Sequence, residues 1–110
     1  MKTKRKEIAW LACEVKTPPF SENARKEAGE LLGLLQEGVA VSMPRARPMP
    51  SIGRRCLELR VRDETLNWRI LCRVDDDAVV VAGVFPKKTE RTPRREIETC
   101  KRRLAMWDSE

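Results

Sequence analysis

A chain of 110 residues predicts a single domain over residues 1–110, long enough to bury a core without disulfides or bound metal. An apolar content of 41% and regular hydrophobic runs argue against a disordered chain, and no run approaches the roughly twenty apolar residues of a transmembrane helix. A net charge of +6 and an isoelectric point near 9.5 favour a polyanionic partner, either nucleic acid or an anionic surface.

The inventory of reactive residues narrows the chemistry further. Histidine is absent, and the four cysteines, Cys13, Cys56, Cys72 and Cys100, stand singly, so the sequence offers no set of zinc ligands. There is no Walker loop and no GxGxxG motif, and no acidic cluster around a turn would hold magnesium convincingly, so we expect neither a metal nor a cofactor. The basic N-terminal segment contains too short an apolar stretch for a signal peptide. These features predict a reduced, cytoplasmic protein.

The first half of the chain predicts a strand and then a helix. EIAWLAC (residues 7–13) has the composition of a short strand, and Pro18 and Pro19 end regular structure after it. Ser21 is a candidate helix N-cap, and Gly38 a candidate helix end. Between them, alanines and leucines recur at helical spacing. We expect this helix to lay its leucine face on a sheet.

Residues 42–55, SMPRARPMPSIGRR, predict an extended basic connector, because three prolines and a glycine exclude a helix. Two interpretations stay open. The segment is a plain linker, or it forms a rim that contacts RNA backbone through Arg45, Arg47 and Arg54.

Three strand-like runs follow. CLELRVR (56–62) alternates apolar and polar residues, as does most of WRILCRV (68–74), whereas AVVVAGVF (78–85) is apolar on both faces. The last run is typical of a strand covered on both sides, and the short connections predict an antiparallel meander. After it, Thr92 as N-cap and Pro93 as first helical residue predict a C-terminal helix. The order is β-α-β-β-β-α, an α+β fold.

The alternation places four arginines, Arg60, Arg62, Arg69 and Arg73, on the face opposite the leucine helix. Neighbouring strands lie about 4.8 Å apart, so these guanidinium groups are expected to form one positive patch. Arginine suits bidentate phosphate contacts, and from residue 28 to residue 85 every basic residue is an arginine. The alternatives are a solvated face partly paired with Glu58, and an arginine bias from a GC-rich genome.

RNA cleavage without a metal is the chemistry that this inventory permits. The ribose 2′-OH can attack its own neighbouring phosphate, so the protein needs only to align it, stabilise charge and move protons. A lysine can carry the proton if positive neighbours lower its pKa from about 10.4. Lys87 and Lys88, directly after the last strand, are the candidates, and Glu58 is a weaker candidate base.

The stretches SMPRARPMPSIG, CLELRVRDETLNWRILCRVD and AVVVAGVFPKKTERTP resemble the phage-related, HigB-like branch of the RelE/ParE toxin superfamily. The resemblance implies a curved, mainly antiparallel four-stranded sheet with helices packed on one face and a basic concave surface on the other. It also implies catalytic roles for Arg60, Arg69, Lys87 and Lys88, with Thr89 and Thr92 as structural members. To these we add as expected RNA-binding residues Arg45, Arg47, Arg54, Arg62, Arg73, Arg94 and Arg95.

The function implied by the resemblance is that of the toxin in a type II toxin–antitoxin system. Such a toxin is a metal-independent endoribonuclease, an mRNA interferase, that acts on ribosome-bound mRNA and blocks translation. Its expected partners are mRNA, the ribosome and a cognate antitoxin of the Xre helix-turn-helix type, with which it would form a hetero-oligomer. No membrane partner is expected. Leu57 and Cys72 stand where the branch often has histidine and tyrosine. Two alternatives are an inactive RNA- or antitoxin-binding module of the same fold and a ParE-like gyrase poison.

Overall fold

The computed structural model describes residues 4–64, 66–88 and 90–110. Five strands and two helices lie in these residues, in the order β1 (Glu7–Trp10), α1 (Glu22–Gln36), β2 (Ala46–Pro48), β3 (Cys56–Arg62), β4 (Asn67–Val74), β5 (Ala78–Lys87) and α2 (Arg94–Asp108). The mixed α+β class is thus confirmed. Neither described helix is long and apolar enough to cross a membrane.

One sheet contains all five strands in the order β1-β5-β4-β3-β2. The antiparallel meander β3-β4-β5 is confirmed, while β1 runs parallel to β5. The predicted number of four strands was wrong, because the basic connector contributes β2. Arg47 pairs there with Glu58, and Pro48 with Leu57. Pro48 is compatible with this strand because β2 lies at the sheet edge, where a missing N–H costs no ladder hydrogen bond.

The two helices pack on opposite faces of the sheet, which corrects the expectation that both lie on one face. α1 buries its alanines and leucines against a cluster that includes Leu59, Ile70 and Val81. α2 buries Cys100 and Leu104 in a second cluster with Leu71 and Val80. The physical reason lies in β5, whose successive valines point to alternate faces and leave apolar surface on both.

The start of α1 is tied to the β3–β4 connection. Ser21 is the N-cap as predicted, its Oγ accepting a hydrogen bond of 3.1 Å from the Ala24 N–H. Asp63 accepts from the Ser21 N–H at 2.9 Å and from the Trp68 indole Nε1 at 3.1 Å. Phe20 and Trp68 stack with ring centroids 4.1 Å apart. The Asp63 carboxylate therefore joins the N-terminus of α1 to the start of β4.

The other helix boundaries differ in how well the sequence predicted them. Gly38 follows the end of α1 with φ of 81°, the left-handed conformation expected after a helix C-terminus. α2, however, begins at Arg94 rather than Pro93, and its cap position carries no side-chain hydrogen bond. Thr92 was therefore wrongly predicted as the N-cap. Its hydroxyl instead donates a hydrogen bond to the Glu58 carboxylate.

Gly83 allows the close approach of α2 to β5, and its substitution should weaken the fold. A Cβ atom at Gly83 would lie 2.7 Å from Cys100 Sγ, whereas one at Gly29 in α1 meets nothing within 4 Å. We expect Gly83→Ala to lower the free energy of unfolding by about 1–3 kcal/mol through overpacking. Gly29→Ala should raise it by about 0.5–1 kcal/mol through helix propensity. Urea denaturation of both variants measures the difference.

A double variant makes the cause of that loss specific. Cys100→Ala removes the sulfur that a Cβ at Gly83 would meet. We therefore expect Gly83→Ala to cost less in the Cys100→Ala background than in the wild type, in a double-mutant cycle. Equal costs in both backgrounds would contradict the packing explanation.

Asp63 should make stability depend on pH in the acid range. Hydrogen bonds from Ser21, Glu64 and Trp68 lower the pKa of Asp63 from 3.8 to about 2. A carboxyl with a lowered folded-state pKa stabilises the fold above its unfolded pKa, and that contribution is lost as pH falls from about 4 to about 2. Thermal unfolding across this range should show a smaller acid loss for Asp63→Asn than for wild type. Asp76→Asn, at an exposed turn, is the control and should follow the wild-type profile.

Candidate functional site

A buried carboxylate organises the basic surface on the α2 side of the sheet. Glu58, in β3, has a fully buried side chain. Its Oε1 lies 3.5 Å from Arg69 Nε, 3.6 Å from Arg60 Nε and 3.6 Å from Arg47 Nη2. The three arginines come from three different strands, β4, β3 and β2. They meet because Arg60 pairs with Arg69 and Arg47 pairs with Glu58 in the strand register.

Charge, more than hydrogen bonding, holds this cluster together. Among the described residues, Glu58 Oε1 and the Nε atoms of Arg47, Arg60 and Arg69 are buried without a hydrogen-bond partner. Burial lowers the pKa of Arg69, and the neighbouring charges of Arg60 and Arg47 act in the same direction against Glu58. Three guanidinium groups face one carboxylate, so positive charge remains for an outside anion.

Thr92 completes the cluster from the α2 side. Its hydroxyl donates a hydrogen bond to Glu58 Oε2, and its Oγ1 accepts one of 3.4 Å from Arg47 Nη2. This explains why Thr92 does not cap α2. A cap would need Oγ1 to accept from a backbone N–H of α2, but Oγ1 is turned towards the sheet, where it donates to Glu58 and accepts from Arg47. The segment before α2 is thereby attached to β2 and β3.

Lys87 ends β5 beside this cluster, opposite Asn67 of β4. Burial lowers the pKa of Lys87, and the charges of Arg69, Arg60 and Arg47 lower it further, while Glu58 opposes them. A lysine with a lowered pKa releases and takes up a proton more readily near neutral pH than an ordinary exposed lysine. The geometry thus places a candidate proton carrier beside two guanidinium groups.

Two adjoining hollows form one basic groove. The first is lined by Arg60, Asn67, Arg69, Lys87, Lys88 and Glu90. The second is lined by Glu27, Pro44, Arg45, Arg60, Val61, Arg62, Asn67 and Arg69. They share Arg60, Asn67 and Arg69, which lie at the centre, with the two lysines at one end and Arg45 and Arg62 at the other. We call this surface the basic groove.

The structure brings the four expected catalytic residues, Arg60, Arg69, Lys87 and Lys88, to the basic groove. Of the expected RNA-binding residues, Arg45 and Arg62 line it and Arg47 lies behind it against Glu58. Arg54, in the β2–β3 turn, and Arg94 and Arg95, at the start of α2, are exposed outside the lining. Thr89 lies outside the described residues.

Arg73 does not belong to the patch in which the alternation placed it. It lies four residues from Arg69, about 13 Å along the strand. Its guanidinium group donates to Asp75 at 2.8 Å and to Asp108 at 2.7 Å, which attaches the end of α2 to β4. Hydrogen bonds to Asp108 and Asp75 raise the pKa of Arg73. Its visible role is to hold the helix, and the expected single patch of four arginines was wrong in this respect.

Leu57 and Cys72 lie on the other face of the sheet. They pair with each other across β3 and β4, and both pack in the α1 cluster. Burial raises the pKa of Cys72 to about 12, which makes it an inert core thiol. In this chain, the positions at which the HigB-like branch often has histidine and tyrosine therefore do not face the basic groove.

A family model described as Phage derived protein Gp49-like (DUF891) matches residues 19–105. The chain belongs to this family. The matched stretch contains the whole basic groove together with Glu58 and Thr92. The Gp49-like family is associated with toxins of the RelE/HigB type and is commonly the toxin of a toxin–antitoxin pair. No curated protein matches the chain.

The sequence did not predict two contacts of Glu58 in this Gp49-like protein. The pairing of Arg47 with Glu58 required recognising β2, and the bond from Thr92 to Glu58 spans 34 positions. A signal for Glu58 was present, since alternation puts it on the arginine face of β3.

Within residues 4–64, 66–88 and 90–110, no group of three or more His, Cys, Asp or Glu could hold a metal ion.

The Thr92 hydroxyl should contribute measurably to stability. Thr92→Val keeps the shape but removes the donor to a buried carboxylate, so we expect a loss of about 1.5–3 kcal/mol in the free energy of unfolding. Thr92→Ser keeps the hydroxyl and should recover most of that loss. Guanidinium chloride titrations of the three proteins measure it. Equal stability of the valine and serine variants would contradict the assigned hydrogen bond.

Proposed function

We propose that this protein is the toxin of a type II toxin–antitoxin pair, of the HigB-like kind, and that it cleaves mRNA on the ribosome without a metal ion. The observation that carries this proposal is the basic groove, where Arg60, Arg69 and a lysine of lowered pKa lie together. Membership of the Gp49-like family supports the toxin assignment. The nuclease activity and its mechanism are our proposal.

The reaction is an internal transesterification. The ribose 2′-oxygen attacks the neighbouring phosphorus and forms the O2′–P bond, while the P–O5′ bond breaks. The 2′-OH loses a proton, the departing 5′-oxygen gains one, and the products carry a 2′,3′-cyclic phosphate and a 5′-OH. Because the nucleophile belongs to the substrate, the protein supplies orientation, charge stabilisation and proton transfer.

Each of these tasks has a candidate in the basic groove. Arg60 and Arg69 bind the scissile phosphate and stabilise the charge that grows on its oxygens. Lys87 carries the proton, since its lowered pKa increases the neutral fraction that can accept one from the 2′-OH. Lys88 adds positive charge beside it. Arg45 and Arg62, at the other end, bind a neighbouring phosphate of the same strand.

The basic groove also suits an acidic antitoxin. A segment rich in Asp and Glu would neutralise the positive charge and exclude RNA by occupying the same surface. We propose that the cognate antitoxin, of Xre helix-turn-helix type, forms a hetero-oligomer with this toxin in the cytoplasm.

Inducing the chain in bacteria should arrest growth and produce new mRNA 5′ ends within coding sequence, detected by primer extension. We expect Lys87→Ala and Arg69→Ala to reduce cleavage by about 100-fold or more, because proton transfer and charge stabilisation each contribute on that order. Lys101→Ala, which removes an exposed lysine from α2, is the matched control and should arrest growth like the wild type.

Several outcomes would count against this proposal. Normal growth with intact mRNA under wild-type induction would leave the chain as an RNA- or antitoxin-binding module. Arrest with intact mRNA and gyrase-dependent DNA breaks would identify a gyrase poison instead. In vitro, an RNA with a 2′-deoxy sugar at the cut site must resist cleavage, since it lacks the attacking oxygen.

A further inference from the structure

The Glu58 carboxylate is closed off from the basic groove although it lies at the centre of the cluster. Its side chain is fully buried, and it is absent from the residues that line either hollow. Oε2 accepts the Thr92 hydroxyl, and Oε1 lies behind the Nε atoms of Arg60 and Arg69. A general base must come within hydrogen-bond reach of the proton that it removes, and Glu58 has no such access.

We propose that Glu58 is a positioning residue: a buried counter-ion that holds the guanidinium groups of Arg60 and Arg69 at the basic groove, with Arg47 paired to it from behind. Its catalytic consequence rests on the proposed RNA cleavage. Its electrostatic consequence does not, and can be measured on the protein alone.

The orientation of the arginines supports this role. In both Arg60 and Arg69 the atom that faces Glu58 is Nε, at 3.6 and 3.5 Å. Arg69 is held at a second point, because its Nη1 donates to the Trp68 carbonyl at 3.1 Å. Both residues line both hollows of the groove. The carboxylate thus anchors each side chain from behind while the side chain remains part of the groove surface.

Without an internal counter-ion, the neighbouring arginine side chains would repel one another. Arg60 and Arg69 are direct cross-strand partners, an arrangement in which like charges destabilise a sheet. Arg47 on the next strand adds a third positive charge. Because Glu58 Oε1 makes no hydrogen bond to the arginines within the described residues, its effect on them is mainly its charge. An uncharged glutamine of the same shape should therefore not replace it.

The pKa of Lys87 is a measure of the Glu58 charge. The titratable and charged groups that act on it or share its hollow come from four parts of the chain: Arg47 of β2, Glu58 and Arg60 of β3, Arg69 of β4, and Lys88 and Glu90 after β5. The Glu58 charge raises the pKa of Lys87, whereas burial and the arginines lower it. Removing the negative charge leaves the positive ones unopposed. The pKa of Lys87 should then fall below its wild-type value.

The experiment compares Glu58→Gln with wild type by NMR titration of lysine Cε signals, with Lys87 assigned through a Lys87→Arg variant. We expect the Lys87 midpoint in Glu58→Gln to move to lower pH. Glu98→Gln, which removes one exposed carboxylate from α2, should leave it unchanged. The double variant Glu58→Gln/Arg47→Met removes one positive charge as well, and should move the midpoint back towards wild type.

Cleavage of a short RNA gives the second measurement. If Glu58 positions the arginines and Lys87 carries the proton, the midpoint of the pH–rate profile in Glu58→Gln should move to lower pH together with the titration midpoint of Lys87. At its own optimum this variant should retain a rate within about 100-fold of wild type, since loss of a general base costs about 100- to 10,000-fold. Activity lost at every pH with an unchanged Lys87 midpoint would identify Glu58 as the base and overturn the proposal.

The design separates this inference from the proposed function. If wild type cuts no RNA, the proposed function fails, while the NMR titration still decides on Glu58. An unchanged Lys87 midpoint in folded Glu58→Gln, or a lowered one that the double variant does not restore, overturns the counter-ion role. If Glu58→Gln does not fold, recovery of folding in the double variant supports charge balance. Failure of both variants to fold overturns it.

Discussion

The attraction between one buried carboxylate and three arginines determines the shape of the basic face of this protein. Glu58 lies at the meeting point of β2, β3 and β4, and each strand contributes one guanidinium group to it. A buried ion pair is seldom a large net source of stability, because desolvation offsets most of the Coulomb attraction. Its effect here is on position: positive side chains that would otherwise separate are held side by side. The concentration of charge in the basic groove follows from that constraint.

The packing of α2 divides the same face of the sheet into an apolar part and a charged part. Cys100 and Leu104 cover the region around Leu71 and Val80, where Gly83 admits the helix. Arg73 fastens the helix end through Asp108, and Thr92 fastens the segment before the helix through Glu58. The helix is thus held at both ends by polar contacts to the sheet. The Thr92 contact also makes the start of α2 part of the charged cluster, which joins fold stability to the geometry of the groove.

The position of Leu57 and Cys72 bears on the proposed chemistry. Both lie in the α1 core, on the opposite face from Arg60 and Arg69. Their apolar character serves packing, and it removes nothing from the lining of the basic groove in this fold. An RNA-cleaving chemistry based on lysine and arginine needs no side chain on that face, since the nucleophile is the 2′-OH of the substrate.

The sequence alone determined the elements whose signals are local. Alternation in residues 56–62 and 68–74, the Ser21 cap and the glycine after α1 each depend on a few neighbouring residues, and these predictions were confirmed. Alternation also grouped Arg60 and Arg69 correctly, because a strand period of two assigns faces without knowledge of the fold. Only the tertiary structure decided the rest. The pairing of β2 with β3, the placement of α2 on the second face, the removal of Arg73 to the Asp108 contact and the bond from Thr92 to Glu58 all join residues far apart in the chain. Such contacts depend on how distant segments of the chain meet in space. The two apolar faces of β5 indicated that the second face would be covered, but no local pattern specified which element would cover it.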